Sequence, residues 1–158
     1  MIAVIQSVLD LTGSSSPVIV YINYIKERDK KMPSELYDKG LRVRRDVMGA
    51  EYVDAAISQA DDFNRPLQEL VTEYCWGAVW TRPGLERKTR SMINLAMLTA
   101  LNRPHEVKLH LKGALKNGCS KEEIMEVLLQ TAIYCGVPAA IDSFRLAREV
   151  FKEVEALK

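Results

Sequence analysis

The segment 91–101, which reads SMINLAMLTAL, is apolar on nearly every side of the helix that its composition predicts. A helix at a protein surface buries one stripe, whereas a helix that is apolar all round must be covered on several sides. We therefore predict a helix over about 85–101 that lies at the centre of a bundle or is covered by a second subunit. Its methionines are interpreted as core filling, because their flexible side chains fit irregular gaps.

Helical periodicity extends over the chain from Ser34 onward, and no convincing strand follows residue 32. Short Gly- and Pro-containing breaks separate the periodic segments, and Ser120 with Glu123 forms a capping-box pattern at the start of one of them. Helices joined by short turns are typical of an all-α bundle. The predicted helices cover 34–48, 52–60, a segment starting near Pro66, 85–101, 104–117, a segment starting at Ser120, and 139–157.

The helix that starts near Pro66 has apolar residues at steps of three and four, which predicts a stripe facing the core. In that stripe Cys75 is interpreted as a small core residue rather than a nucleophile. The stripe consists of Leu67, Leu70, Val71, Tyr74, Cys75 and Ala78.

Composition limits the class of protein. A chain of 158 residues with 47% hydrophobic residues is expected to form one domain with a real core. A net charge of +1 without a basic arm gives no indication of nucleic-acid binding. No run approaches the roughly 20 apolar residues that cross a membrane. Cys75, Cys119 and Cys135 form neither a CxxC pair nor a metal-binding spacing, so we expect no metal site and a cytoplasmic location.

Residues 1–31 differ from the rest of the chain. An apolar stretch, the break GSSSP, a strand-like run PVIVYINYI and the charged KERDKK follow one another. The first stretch lacks the basic region and the cleavage site of a secretion signal. We therefore expect a peripheral arm, either packed on a partner subunit or poorly ordered, with a start at Met32 as an alternative.

Glu106 and His110 are four residues apart in the helix predicted over 104–117, which places them one turn apart on the same side. His110 lies within an apolar stripe and Glu106 lies at its edge. Burial and a nearby carboxylate tune the proton affinity of an imidazole, so the pair is a candidate catalytic site. The alternative is a core histidine bound to a backbone carbonyl. The stripe consists of Val107, Leu111, Ala114 and Leu115.

An aromatic and basic loop precedes the apolar helix. Trp76 and Trp80 are followed by Arg82, Arg87 and Arg90, and a turn TRPG lies between them. Arginine binds a carboxylate through two parallel hydrogen bonds, so this loop is a candidate anion site, although surface arginines are also common.

Six stretches between about residues 36 and 154 match one family pattern: YDKGLRVRRDVMG, DDFN, WGAVWTRPGLERKTRSMINLAMLTAL, EVKLHLKGALKNG, EVLLQTAIYCGVPAA and AREVF. The most specific combination is WGxxWxRPGL followed by TRS, with ExxxH downstream. On these residues the chain resembles the carboxymuconolactone decarboxylase and AhpD-like family. The arm over 1–31 and the NRPHE segment depart from that pattern.

The resemblance implies an AhpD-like helical bundle over 32–158 that assembles into a homo-oligomeric ring, typically a hexamer built as a trimer of dimers. The arm over 1–31 would then have a place between subunits. The peroxidase branch of the family uses a CxxC pair ahead of a histidine on the same helix. Because 104–107 contains no cysteine ahead of His110, we expect no peroxidase or disulfide reductase chemistry by that route.

The resemblance also implies an activity, the decarboxylation of 4-carboxymuconolactone to the enol-lactone of 3-oxoadipate in protocatechuate catabolism by the β-ketoadipate pathway. The unsaturated lactone ring accepts the electrons, so no cofactor is expected. On this basis His110 delivers a proton and Glu106 orients or recharges it, or the two roles are reversed.

The remaining site residues follow from the same substrate. Arg82 and Arg90 are expected to hold its two carboxylates. Trp76, Trp80 and Tyr134 are expected to form the pocket wall, with plain core or interface packing as the alternative. Three rival interpretations remain: an enzyme of the same fold with another lactone or keto acid as substrate, a non-catalytic family member, and a redox helper.

Overall fold

The computed structural model describes residues 34–156, and from Glu35 onward they form one compact unit. This part of the chain contains helices and no strand, so the predicted all-α class is confirmed for it. The elements are α1 (Glu35–Met48), α2 (Ala50–Ser58), α3 (Arg65–Leu70), a π-helical segment (Val71–Val79), α4 (Arg87–Ala100), α5 (Pro104–Lys116), α6 (Lys121–Cys135) and α7 (Val137–Glu155). The arm over 1–31, including its strand-like run, lies outside the described residues.

Helices α4 to α7 pack around one apolar core. Leu95 of α4, Leu111 of α5 and Leu128 of α6 are completely buried there. The stripe predicted on α5 is confirmed, because Val107, Leu111 and Ala114 are buried and Leu115 is partly buried. Each such leucine removed from water contributes about 1.5–3 kcal/mol, so this cluster is the main source of stability in the described unit.

The boundaries of α6 follow from local chemistry. Ser120 accepts a hydrogen bond from the Glu123 backbone N–H (3.1 Å), and the Glu123 carboxylate accepts one from the Ser120 N–H (2.8 Å), which confirms the capping box. The helix ends at Gly136, whose φ of 109° suits glycine. The break is shorter than predicted, because α7 already begins at Val137 with Pro138 in its first turn.

Helix α1 lies directly against the π-helical segment. A Cβ atom on Gly40 would be 2.1 Å from the Thr72 carbonyl oxygen and 2.6 Å from the Gly77 nitrogen, so only glycine permits this approach. Arg44 is buried in the same contact, where it donates to Thr72 Oγ1 (2.8 Å) and to Gln68 Oε1 (2.9 Å). Burial lowers the pKa of the Arg44 guanidinium. These contacts fix the π-helical segment on α1.

The core stripe predicted from Leu67 to Ala78 is wrong at four of its six residues in the described unit, while Val71 and Ala78 are partly buried. Leu67, Leu70 and Tyr74 are 57%, 54% and 59% exposed, and Cys75 is exposed as well. From Val71 onward the stripe assumed 3.6 residues per turn, whereas the π-helical segment closes its hydrogen bonds over five residues and winds more slowly. Leu67 and Leu70 lie before that segment on α3, which has no buried residue. The inward face therefore moves to a different set of residues, namely Thr72, Trp76 and Gly77, with Trp80 directly after them.

Helix α4 is buried on one side only. Leu95, Ser91 and Thr99 are buried, whereas Ile93, Met97 and Leu101 are 42%, 50% and 65% exposed. The four-helix core thus buries only some of the apolar residues of 91–101, and the others form an apolar surface. None of the described helices is both long and apolar enough to cross a membrane.

Candidate active site

His110 is partly buried on α5 and faces the ring of Trp76. The two ring planes are 6° apart and their centroids are separated by 6.5 Å. Trp76 is buried in turn against Trp80, with ring centroids 4.7 Å apart at 35°. Burial lowers the pKa of His110 below its ordinary value, and the Glu106 carboxylate partly opposes that shift. The aromatic, partly buried surroundings therefore favour the uncharged form of the imidazole.

Asn94 is a site residue that the sequence analysis did not identify. Its Nδ2 lies 3.5 Å from Nδ1 of His110, which is at the outer limit of a hydrogen bond. One turn further back on α4, Ser91 accepts a hydrogen bond from Asn117 at the end of α5 (2.9 Å). The available signal was an amide in the middle of the apolar run 91–101, because polar groups placed among apolar residues are normally hydrogen-bonded.

Arg90 lies one helical turn before Asn94 on α4 and therefore on the same side of that helix. Its Nη2 donates to the Arg82 carbonyl oxygen (3.1 Å), which holds the 81–84 turn against the helix. Its Nε is buried and has no hydrogen-bond partner among the described residues. A buried donor of this kind needs an explanation, and an anionic ligand would supply the missing acceptor.

Arg82 is one of the residues that line a cleft between α1 and the 80–87 loop. The cleft has a volume of about 550 Å³ and carries an excess of basic groups. Arg87 in its wall pairs with Asp46 of α1 (3.1 Å). Trp80, which packs against Trp76, also lines it. The cleft is lined by Lys39, Arg42, Val43, Asp46, Trp80, Thr81, Arg82, Pro83, Leu85, Glu86 and Arg87.

Two predicted site residues lie in more exposed positions than expected. Glu106 is in the first turn of α5 and is exposed, so only His110 of the pair is oriented toward the interior. Tyr134, near the end of α6, is 81% exposed and encloses nothing within this unit. Sequence spacing placed Glu106 at the stripe edge but could not indicate how exposed to solvent that position is.

The groups that could bind a metal or carry a thiol were located between residues 34 and 156. No three His, Cys, Asp or Glu side chains group there in a way that could hold an ion. Cys119 is buried, Cys75 and Cys135 are exposed, and all three are free thiols.

A family model described as the carboxymuconolactone decarboxylase family matches residues 65–149, which include α3 to α6 and most of α7. Nitrosuccinic acid decarboxylase npaB of Metarhizium robertsii is 43% identical over 119 residues, covering 75% of this chain and 83% of that protein. The 4-carboxymuconolactone decarboxylase of Acinetobacter baylyi is 40% identical over 118 residues, covering 75% and 88%. Both relatives are named decarboxylases, which supports the prediction of a carboxy-lyase. The chain belongs to the carboxymuconolactone decarboxylase family.

Proposed function

We propose that this protein decarboxylates 4-carboxymuconolactone to the enol-lactone of 3-oxoadipate, as a step of protocatechuate catabolism. The substrate is an unsaturated five-membered lactone with a ring carboxylate and an acetate arm. When carbon dioxide leaves, the electron pair of the broken C–C bond moves through the ring double bond to the lactone carbonyl. The ring is its own electron acceptor, so the protein has to bind, orient and supply one proton.

The observation that carries this proposal is the buried, unpartnered Nε of Arg90. Arg90 and Asn94 lie on one side of α4, and Asn94 reaches His110. A substrate carboxylate that accepts from Arg90 would therefore lie along the same side as the imidazole. Leaving a buried donor unsatisfied costs about 1–3 kcal/mol, so an anion bound there gains that free energy.

The other proposed roles follow from that placement. Arg82 holds the second carboxylate from the loop that the Arg90–Arg82 hydrogen bond fixes in place. Trp76 and Trp80 provide an apolar wall that keeps the departing carboxylate poorly solvated. His110 and Glu106 share proton delivery and stabilisation of the developing oxyanion, both of which need donors placed in advance.

We further propose that the active protein is a homo-oligomer, with a hexamer as the expected form. The apolar surface of Ile93, Met97 and Leu101 on α4 would be covered by a second copy of the chain. Met97→Asp should reduce the mass measured by sedimentation, whereas Ser58→Asp, an exposed change on α2, should not. An unchanged mass for Met97→Asp would remove α4 from the interface.

The free thiols are consistent with a reducing cytoplasm as the location of the protein.

Nitrosuccinic acid is the second candidate substrate, because a relative named for its decarboxylation is 43% identical to this chain. It is also a dicarboxylic acid, and its nitro group can accept the electron pair that carbon dioxide leaves behind. The same arginine, imidazole and carboxylate groups serve either compound, so the substrate is decided by the shape of the pocket.

The experiment is to mix the purified chain with freshly generated 4-carboxymuconolactone and, separately, with nitrosuccinic acid, while following absorbance and carbon dioxide release. Rapid release from the lactone supports the proposal. Release from nitrosuccinic acid alone replaces the substrate but keeps the chemistry. Arg90→Gln should raise KM strongly, and Arg103→Gln, an exposed arginine ahead of α5, is its control. If neither compound loses carbon dioxide with the assembled protein, the proposed substrates are wrong.

A further inference from the structure

Asn94 of α4 approaches His110 at one particular ring nitrogen. Its amide Nδ2 lies 3.5 Å from Nδ1, while Trp76 stacks over the ring. An amide nitrogen can only donate, so a hydrogen bond between these two atoms requires the tautomer in which Nδ1 accepts. A neutral imidazole that accepts at Nδ1 carries its single proton on Nε2.

We propose that Asn94 is a positioning residue that holds His110 in the neutral form protonated on Nε2. In this form the imidazole donates a hydrogen bond to the substrate's developing oxyanion, and the proton that replaces carbon dioxide enters by way of Glu106. The inference rests on the proposed decarboxylation and decides between the two role assignments that the sequence left open.

The surroundings of the ring support a neutral imidazole. The π-helical segment presents the apolar face of Trp76, and α4 presents the uncharged amide of Asn94 with Arg90 one turn away. The carboxylate that acts on the ring comes from Glu106 on its own helix, and Glu106 is exposed. Burial outweighs that carboxylate, because the pKa of His110 is lowered rather than raised.

The proton balance of the reaction favours the same assignment, in which His110 stabilises the oxyanion and Glu106 passes on the proton. The C–C bond to the leaving carboxylate breaks, its electron pair enters the conjugated carbonyl, and the Nε2–H of His110 stabilises the oxygen without losing its proton. A neutral imidazole that gave up Nε2–H would become an imidazolate, which is an unfavourable product. The substrate carbon instead takes a proton that comes from solvent and is passed on by Glu106 at the exposed helix end, so one solvent proton is consumed for each carbon dioxide released.

Nuclear magnetic resonance of ¹⁵N-labelled histidine tests the proposal without substrate, so its result is independent of the proposed activity. The chain has two histidines, and His105→Gln assigns the signals. We expect His110 near pH 7.5 to be neutral and protonated on Nε2. In Asn94→Asp the new carboxylate should accept from Nδ1–H and raise the His110 pKa by about one unit or more. Asn117→Ala loosens the neighbouring α4–α5 contact without touching the ring, and is the matched control.

Kinetics supply the second readout. Asn94→Asp should lower kcat with little change in KM, and should move the acid limb of the kcat profile to higher pH. Asn117→Ala should leave that limb in place. A wild-type His110 protonated on Nδ1, or an Asn94→Asp protein with an unshifted His110 pKa, would overturn the inference whether or not the lactone is the substrate. A protein with the expected tautomer but without decarboxylase activity would refute the proposed function alone.

Discussion

The two buried clusters of this protein differ in how they are built. The cluster of α4 to α7 is held by aliphatic side chains such as Leu95, Leu111 and Leu128, which need no polar partners. The cluster of α1 and the π-helical segment combines Val47 with Trp76, and buries a guanidinium beside them. The first cluster stabilises the unit, whereas the second gives Trp76 a fixed position beside His110.

The candidate active site lies where the two clusters meet. His110 belongs to a helix of the aliphatic cluster, and the ring that stacks on it belongs to the aromatic one. The π-helical segment turns Trp76 inward, and π-helical turns frequently occur at functional sites. His110 lies at the boundary of the two clusters. The aliphatic core packs on one side of its helix, and the Trp76 ring faces the imidazole on the other.

Replacing His110 should give the largest effect and should separate activity from stability. His110→Ala is expected to reduce kcat by about 10²–10⁴-fold, because it removes a positioned donor. Its urea midpoint should stay close to that of the wild type, because the ring is only partly buried. His105→Ala, at an exposed position two residues after Arg103, is the control. Near-normal turnover in His110→Ala would remove it from the mechanism.

A substitution deep in the aliphatic cluster should show the opposite pattern. Leu128→Ala is expected to lower the free energy of unfolding by about 2–5 kcal/mol, because it leaves a cavity in a completely buried site. Urea denaturation followed by circular dichroism measures the loss. At a temperature where the protein is folded, kcat should be nearly unchanged. A large fall in kcat without a fall in stability would mean that the two clusters are not separable.

The aliphatic cluster is the part of the fold that the sequence predicts well. Its helices follow the regular 3.6-residue period, and the Ser120 capping box and Gly136 mark their boundaries. The same regularity located His110 on the inner side of α5. Local patterns suffice for α5 because this helix buries the stripe that its own spacing defines.

The aromatic cluster could not be predicted in the same way. The π-helical winding exposes Tyr74 and Cys75 and turns Trp76 inward, and no local spacing rule anticipates that shift. The Asn94–His110 contact joins two helices, so it depends on how α4 and α5 pack. The exposure of Tyr134 likewise depends on tertiary structure, because its own helix has an apolar composition on several sides.

Gly40→Ala tests whether the aromatic cluster positions the site. A methyl group there meets the Thr72 carbonyl oxygen at 2.1 Å, so α1 and the π-helical segment must move apart. We expect a loss of about 1–3 kcal/mol in the free energy of unfolding together with a fall in kcat, because Trp76 moves with its segment. Gly84→Ala is the matched control, since a Cβ atom there meets open space. A loss of stability with unchanged kcat would show that Trp76 placement does not matter.

The smallest effect should come from the surface ion pairs that join α5 to α7. Glu153 binds Lys108 and Lys112, each at 2.7 Å, and these contacts lower the pKa of its carboxyl to about 2. Because the folded-state pKa is depressed, the stabilisation is present above the unfolded value of 4.5 and is lost as the pH falls through about 2. Solvent screening keeps the contribution small. Glu153→Gln should therefore lower the urea midpoint slightly at pH 7 and match the wild type near pH 2, with kcat unchanged. An equal difference at both pH values would mean that packing of the side chain, rather than its charge, makes the contribution.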